Sequence, residues 1–450
     1  MIKVIITIVL LILLVVVKKI PFVRGNVAKA LIIAGLVSLI LGSVYNPIDW
    51  IKSWAIGLDR LAWVMALSLI GSFYGKTQEA IGALDVVVEL FRSLFGKSKR
   101  GLIVAIILAV AVGGEAFGDS IAAASVIGIL VIPALSGIGM NGEQIAATIC
   151  FGALGGSIMP PISQAVYLSC SILGIGTHEA LRLTYITAFI TMVISTAFAA
   201  FTFVDKGPIP EELKPKRTSK EIIKEGYKSL TPLAIIVVML ILNSGFGINV
   251  GKLLIGPVYN WMVDIPVIRG LTNSVVMILL IASIITFIWK EVRSDTKNIL
   301  VSSVQNVRSS LTVQACAAFF IGAIYTGGQI EVVTEFARSL DPNMIKISGA
   351  FALLVMATIT GSQTSGQNII FTFLGPMLIE IGVNPSHAAI VGSHIASACQ
   401  ASPPVALTPY VVCSNVESAI DKKVNPIKSM LYILPLSISL AVIGFLFMYI

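Results

Sequence analysis

Two short polar interruptions in an otherwise apolar sequence hold the residues that could do chemistry. The first reads GGEAFGDS at 113–120, and the second reads TGSQTSGQN at 360–368. Each combines glycines, which permit a tight reversal, with carboxyl, hydroxyl or amide oxygens that bind cations and polar solutes. We therefore expect ion and solute binding at these two tips.

Each tip is followed by a helix that a Pro-Pro pair interrupts, at Pro160-Pro161 and at Pro403-Pro404. Proline lacks an N–H group and its ring clashes with the preceding turn, so backbone carbonyls are freed. Free carbonyls suit Na⁺, and half-helices that begin at the tips direct N–H groups and positive dipole ends toward the same centre. The pattern predicts that two tips and two breaks form one central binding site.

The composition places these elements in a membrane. Of 450 residues, 56% are hydrophobic and 12% are charged, and the mean hydropathy is +0.94. Apolar runs long enough to cross a bilayer as helices recur along the chain, and alternating strand patterns do not. The sequence predicts an all-α polytopic membrane protein with about 10–12 spans. Apart from two hairpins, which are described below, the spans are placed at roughly 4–17, 28–45, 60–75, 143–174, 179–203, 231–248, 269–289, 302–326, 386–416 and 430–450.

The basic residues give the expected orientation. Five groups on one side hold 23 of the 31 Lys and Arg residues, which indicates the cytoplasmic face. Both termini are then extracytoplasmic, and the expected location is the cytoplasmic (inner) membrane. Arg308 is counted with Lys290, Arg293 and Lys297 in one of these groups, so no arginine is evident in the core to hold a carboxylate. An anionic solute would then depend on helix N-termini and bound Na⁺.

The two halves of the chain repeat each other. One offset of 243 residues relates Gly118 to Gly361, Pro160 to Pro403 and Asn141 to Asn384. The first polar hairpin, 101–137, enters from the cytoplasm, whereas the second, 344–382, enters from outside. Two inverted repeats, each with a re-entrant helical hairpin and a Pro-Pro-broken transmembrane helix, are typical of secondary transporters.

This repeat divides the chain into five regions. They are scaffold helices at 1–75, repeat 1 at 76–204, a basic cytoplasmic loop at 205–230, scaffold helices at 231–326, and repeat 2 at 327–450.

Glu115 and Asp119 are acids one helical turn apart in an apolar run. A charged side chain at the bilayer centre costs about 2.5–3.5 kcal/mol on insertion scales. Their presence indicates cation coordination, proton coupling or pairing with a cationic group of the solute. The alternative is a tip that reaches cytoplasmic water, where both acids are merely solvated.

Three stretches resemble the large membrane subunit of TRAP transporters, which belong to the ion-transporter superfamily of elevator carriers. They are 61–135, 151–163 (FGALGGSIMPPIS) and 400–412 (QASPPVALTPYVV), and the likeness covers nearly the whole chain in order and spacing. The family's second break usually reads T-P-P-V-G, where this chain has Ser402-Pro403-Pro404-Val405-Ala406. The resemblance implies Na⁺-coupled uptake of a small organic anion, C4-dicarboxylate-like or related, by an elevator mechanism. It also implies two partners, a small four-helix membrane subunit and an extracytoplasmic solute-binding protein.

The resemblance also implies roles for individual residues. The first cation site would involve Gly118, Asp119, Ser120, Gly156, Ser157 and Pro160. The second would involve Gly361, Ser362, Thr364, Ser365, Gln400, Ala401 and Ser402. The solute would contact Ser163, Gln164, Gln367, Asn368 and Thr408.

Alternative functions remain open at this point. A stand-alone organic-acid carrier of the same superfamily would need no partner subunits, and a Na⁺/H⁺ antiporter would use Glu115 and Asp119. An enzyme is not expected, because no nucleophile–base pair, nucleotide fingerprint or H-E-x-x-H motif occurs. Apart from Na⁺ as coupling ion, we expect no cofactor, and we expect no nucleic-acid partner.

Overall fold

The computed structural model describes residues 2–17, 19–246, 248–337, 339–403 and 406–450. Only the backbone is described for residues 16, 241, 244–246, 334 and 337. Pro404 and Val405 of the predicted second break, and Lys18 of the first basic group, lie outside these residues. The described residues are predominantly α-helical and form no β-strand, which confirms the predicted all-α class.

The helices follow the predicted order. The first half of the chain contains α1 (Ile2–Val16), α2 (Val27–Leu41), α3 (Pro47–Ile81), α4 (Ala83–Phe95), α5 (Lys99–Phe117), α6 (Ser120–Gly137), α7 (Gly142–Ile158), α8 (Gln164–Leu173) and α9 (His178–Thr202). The second half contains α10 (Ser219–Phe246), α11 (Val250–Val263), α12 (Ser274–Ile285), α13 (Lys290–Ser294), α14 (Thr296–Thr326), α15 (Gln329–Ala337), α16 (Pro342–Thr360), α17 (Gln363–Gly366), α18 (Thr372–Glu380), α19 (Pro385–Ala398), α20 (Leu407–Ile420) and α21 (Pro426–Leu446). A π-helical segment, Gln367–Phe371, joins α17 to α18, and short 3₁₀ segments lie at Glu211–Leu213, Ile268–Thr272, Thr286–Ile288 and Cys399–Ala401.

The outer surface of this helical assembly is apolar. Seven described helices, α3, α5, α6, α9, α14, α16 and α21, are long and apolar enough to cross a membrane by length and composition. Large apolar side chains such as Phe189, Ile194 and Ile438 are exposed on it. An exposed surface of this kind is unfavourable in water and favourable against lipid, so the chain is a multi-pass membrane protein. The side of the membrane that each end faces stays a prediction.

The predicted repeat is visible as equivalent elements. Helices α5 and α6 form the first hairpin, and α16 with the continuous stretch 363–380 forms the second. The turns that follow the hairpins also match, since Gly139 has φ of 88° and Gly382 has φ of 90°. Asn141 and Asn384 then cap α7 and α19 through their side-chain oxygens.

The two broken helices pack crosswise. Helix α7, which precedes the first break, packs against α20, which follows the second break. Helix α8, which follows the first break, packs against α19, which precedes the second. The hairpins join the same unit, because α6 contacts α20 and α18 contacts α8. Breaks and hairpins therefore form one packed body.

A wall of long helices lies beside this body. Helices α3 and α14 cross so closely that a Cβ atom added at Gly57 would lie 1.7 Å from the carbonyl oxygen of Ala318. The reciprocal contact places a Cβ at Gly322 1.7 Å from the carbonyl oxygen of Ser53. Small residues permit such backbone approach, and close packing of this kind stabilises helix pairs in membranes.

Replacing Gly57 with Ala is expected to force α3 and α14 apart and destabilise the protein by about 1–3 kcal/mol. The matched control is Gly256→Ala in α11, where an added Cβ meets no atom within 4 Å. Thermal unfolding of the purified proteins should show a lower Tm for Gly57→Ala only. Equal Tm values for the two variants would contradict the close crossing.

Several predicted boundaries do not coincide with the ends of the helices. The boundary between 75 and 76 falls inside α3, which continues through the buried Thr77 and Gln78 to Ile81 and is followed by Gly82 with φ of 74°. The predicted loop 205–230 includes the start of α10, whose first turn is fixed by a hydrogen bond from the Thr218 amide to Glu221. Helix α11 was not predicted, and α12 ends before the proposed span limit at 289.

Candidate functional site

The two hairpin tips have the same backbone construction. Helix α5 is followed by Gly118 with φ of 61°, and α16 is followed by Gly361 with φ of 64°. Left-handed φ values favour glycine, which explains its place at both tips. The next residue caps the following helix: Asp119 accepts a hydrogen bond from the Ala122 amide at 2.7 Å, and Ser362 accepts one from Ser365 at 3.3 Å.

The two breaks lie where the prolines predict them. Helix α7 ends at Ile158 and α8 begins at Gln164, and the Tyr167 hydroxyl donates to the carbonyl of Pro161 at 2.6 Å between them. The second interruption runs from the 3₁₀ turn Cys399–Ala401 to the start of α20, with Pro404 and Val405 outside the described residues. At each break one carbonyl has a backbone partner, since Gly156 accepts from Met159 and Cys399 accepts from Ser402, both at 3.0 Å.

One cavity of about 690 Å³ brings the tips and the breaks together. A hydrogen bond of 2.9 Å between the hydroxyls of Ser120 and Thr408 joins the first tip to the helix after the second break. The second tip is tied to the second broken helix, because the Ser397 hydroxyl donates to the Gln363 side chain at 2.7 Å. The residues that the two repeats contribute thus face a single space.

Most predicted site residues line this cavity. The lining includes Gly118, Asp119, Ser120 and Ser157 of the first predicted cation site, Gly361, Ser362, Thr364, Ser365 and Gln400 of the second, and Gln164 and Thr408 of the predicted solute contacts. Among the described residues, the lining does not include Glu115, Gly156, Pro160, Ser163, Gln367, Asn368, Ala401 or Ser402. Their functional roles stay predictions without a place on the cavity surface.

Packing explains why several predicted site residues lie away from the cavity surface. Gly156 lies against α5, where an added Cβ would be 2.1 Å from the carbonyl oxygen of Ala111. The Gln367 amide is fully buried and donates to the Ala165 carbonyl at 2.7 Å and to the Ser169 hydroxyl at 2.8 Å. Ser163 and Asn368 are also fully buried. Glu115 lies in the last turn of α5 and is partly buried.

The opposite side of the cavity contains an arginine that sequence reasoning assigned to the cytoplasmic surface. Arg308 of α14 lines the cavity and is exposed in it, together with polar neighbours on the same helix, Gln305, Asn306, Ser309, Ser310 and Thr312. The sequence reasoning found no core arginine to hold a carboxylate and did not place Arg308 on this cavity. Position 308 falls inside the predicted span 302–326, and a charge within a polar run of a predicted span was the available signal.

The cavity has one cation and one acid. In the part of the chain that the structure describes, Arg308 and Asp119 are its only charged lining residues. Arg308 belongs to the wall helix α14, whereas Asp119 belongs to the first tip. A solute in this space would therefore meet a fixed positive charge on one side and hydroxyls, amides and a carboxylate on the other.

Side-chain hydrogen bonds join the wall to the packed body at two places. Near the cavity, the Gln164 amide donates to Ser68 of α3 at 3.1 Å. Farther along α3, the indole N–H of Trp63 donates to Ser171 of α8 at 3.0 Å, and its ring lies 5.1 Å from the Tyr167 ring in a T-shaped arrangement. These contacts hold the packed body against α3.

A larger depression of about 820 Å³ lies at the contact between Trp63 and Ser171, and no predicted site residue lines it. Its charged residues already have partners: Arg269 forms an ion pair with Asp59, and the Arg60 guanidinium lies 4.0 Å from the centre of the Tyr325 ring. Because these charges are already paired, they attract a charged solute less strongly. The smaller cavity at the tips is therefore the better candidate site.

A protein-family model and a curated relative each match most of this chain. Residues 4–450 match the model of the family described as "Tripartite ATP-independent periplasmic transporter, DctM component". The YgiK protein of Salmonella typhimurium is 22% identical over 360 residues, which cover 79% of this chain and 77% of that protein.

Two solved structures share the fold. The YdaH transporter of Alcanivorax borkumensis aligns with a TM-score of 0.62 and 13% identity over 99% of this chain and 97% of its own. MtrF of Neisseria gonorrhoeae, whose structure illuminates a class of antimetabolite efflux pumps, aligns with a TM-score of 0.60 and 15% identity over 99% and 94%. At these identities the likeness establishes the fold alone.

Proposed function

Because this chain belongs to the family of DctM components of tripartite ATP-independent periplasmic transporters, we propose that it takes up a small organic anion together with Na⁺. The observation that carries the proposal is the single cavity where both tips and both breaks meet opposite Arg308. A carboxylate there can bind the guanidinium through charge-assisted hydrogen bonds. The hydroxyls and amides of the tips hold its other polar atoms.

Sodium supplies the drive in this proposal. The tip and break residues offer hydroxyl, amide and carbonyl oxygens, and the Asp119 carboxylate adds one negative charge. Hard cations prefer such oxygen ligands. Moving one net positive charge down a membrane potential of 100 mV releases about 2.3 kcal/mol, which is adequate for accumulating a solute.

The packing supports an elevator motion. Hairpins and broken helices form one body through their crosswise contacts, and α3 with α14 forms a wall beside it. The body can carry the bound solute past the wall, provided that the Trp63–Ser171 and Gln164–Ser68 hydrogen bonds break. The cavity lining includes residues 26–28 and Gln305, which lie near Arg24 and Lys297, so the cavity opens toward the predicted cytoplasmic side.

The family description also motivates two partners. A small membrane subunit would pack against the wall helices, and an extracytoplasmic solute-binding protein would deliver the anion. A stand-alone carrier would have the same cavity without either partner. The two forms are distinguished by whether the purified chain transports alone.

The test is uptake by proteoliposomes that contain this chain with or without the two partner proteins. Radiolabelled succinate is the first probe, followed by a panel of organic acids. We expect accumulation with an inward Na⁺ gradient and none when K⁺ replaces Na⁺. Accumulation that follows a pH gradient instead would overturn Na⁺ coupling, and Na⁺-driven loss of a pH gradient without organic solute would identify an antiporter.

A further inference from the structure

A basic pocket lies beside the end of α4, far in the fold from the transport cavity. It has a volume of about 570 Å³ and is lined by Lys97, Lys214, Lys216 and Arg217, together with serine and threonine hydroxyls. No acidic residue lines it in the described part of the chain. Its chemistry therefore fits an anion with several oxygen acceptors.

Two of its four cations keep an unbalanced charge. Arg217 is held by Glu89 and by Glu225, the latter at 2.5 Å, and Lys214 pairs with Glu211. Lys97 and Lys216 form no ion pair with any described residue. Counted against Glu89, Glu211 and Glu225, the four basic side chains leave a net excess of one positive charge, and Lys97 and Lys216 are the two without an acidic partner.

Hydrogen bonds that do not use the four lining cationic side chains hold the pocket in shape. The Ser93 hydroxyl donates to the carbonyl of Arg217 at 3.1 Å, and the Arg92 guanidinium donates to the carbonyl of Leu213 at 3.2 Å. A β-bridge between Ser98 and Pro208 fixes the loop where it starts. Because the walls are fixed, a ligand would not have to order them.

An apolar groove begins one helical turn away on the same two helices. Its volume is about 590 Å³, and it runs between α4 and α10 past Leu90, Ile223, Leu230 and Val238 to Met239. From residue 223 to residue 239 this is about 24 Å along α10, more than the ~15 Å of hydrocarbon in one bilayer leaflet. The groove is therefore long enough for an acyl chain.

The surface around the pocket is suited to the membrane–water boundary. Leu94 and Phe95 of α4 are 50% and 44% exposed beside it, and Tyr227 of α10 is 55% exposed. Apolar and tyrosine side chains at the level of cationic side chains are typical of the headgroup region. An anion that reaches this pocket from the bilayer is a lipid headgroup.

We propose that the pocket and the groove together bind one anionic phospholipid. Its phosphate lies between Lys97 and Lys216, and one acyl chain lies in the groove between α4 and α10. A general excess of cytoplasmic basic residues explains the charges, but it does not require a preformed pocket that continues into an apolar groove. The site involves none of the residues of the transport cavity.

Native mass spectrometry of the full chain, delipidated in detergent, tests the proposal by titration with dioleoylphosphatidylglycerol and dioleoylphosphatidylcholine. We expect the anionic lipid to bind at least ~10-fold more tightly. The double variant Lys97→Gln/Lys216→Gln should weaken phosphatidylglycerol binding by about 10–30-fold, since each basic residue near a membrane surface contributes on the order of tenfold or less. Phosphatidylcholine binding should not change.

Two further variants separate this site from general surface charge and from a free-anion site. Lys290→Gln/Lys297→Gln removes two exposed lysines outside the pocket and should keep the preference for phosphatidylglycerol. Ala234→Trp fills the groove and should weaken both lipids. The proposal is overturned if both lipids bind with equal affinity, or if the Lys290→Gln/Lys297→Gln control loses as much affinity as the pocket variant. It is also overturned if Ala234→Trp binds lipid as before while 10 mM inorganic phosphate displaces that lipid.

Discussion

Replacing Arg308 with Gln is expected to lower uptake of the organic anion by about 10–100-fold at subsaturating concentration. A hydrogen bond to a charged group contributes about 1.5–3 kcal/mol, and each 1.4 kcal/mol is a factor of ten in affinity. Arg308 is exposed and lies on the cavity surface, so its loss should leave the Tm unchanged. The measurement is the concentration dependence of uptake in proteoliposomes, with thermal unfolding of the same preparations.

The control for this variant is Lys297→Gln, which removes a positive charge from the first turn of the same helix α14. It should transport like the unmodified chain. Arg308→Lys should recover part of the activity, since a lysine keeps the charge but loses the bidentate geometry. Normal transport by Arg308→Gln would show that the cavity holds its solute without this charge.

Substitutions of Asp119 are expected to separate its structural role as the cap of α6 from its ionic role as a Na⁺ ligand. Its carboxylate caps α6, and asparagine caps helices about as well as aspartate does. Asp119→Asn should therefore keep the Tm but lower the apparent Na⁺ affinity of uptake by at least ~10-fold, because a carboxylate ligand is replaced by a neutral amide. Asp119→Ala should lower both the Tm and the apparent Na⁺ affinity, and the missing cap should cost about 0.5–2 kcal/mol in stability.

The equivalent position in repeat 2 supplies the comparison. Ser362→Ala removes the cap of α17 but no charge. Ser362 is also a predicted Na⁺ ligand but carries no charge, so Ser362→Ala should lower the Tm and should reduce the Na⁺ affinity less than Asp119→Asn does. A Na⁺ titration of uptake checks both variants. Unchanged Na⁺ dependence in Asp119→Asn would restrict Asp119 to capping.

The sequence predicted the repeated elements well because their signals are local. Glycine at a reversal, asparagine at a helix start and proline at a break each act through the backbone of a few residues. Gly118 and Gly361 have the expected left-handed φ values, and Asn141 and Asn384 cap the expected helices. These positions follow from the chemistry of single residues.

The arrangement of side chains around the site was harder to predict, because it depends on packing between distant helices. Gln367 was expected to face the solute, yet it is buried against Ala165 and Ser169 of the other repeat. Arg308 was grouped with the cytoplasmic basic residues, and its place on the cavity, twelve residues into α14, was not predicted. Neither the rotation of a helix nor the depth of a residue is fixed by its own sequence window.

The hydrogen bond between Ser120 and Thr408 has a consequence for biogenesis. The two residues are 288 positions apart, so the first tip is synthesised long before its partner. At about 5–20 residues per second, the ribosome needs roughly 15–60 s to make the intervening chain. During that interval the nascent first hairpin holds its carboxylate and hydroxyl without the second repeat. Maturation of the pocket is therefore a late event of translation, and a message truncated before codon 408 yields an inserted protein that has no complete site.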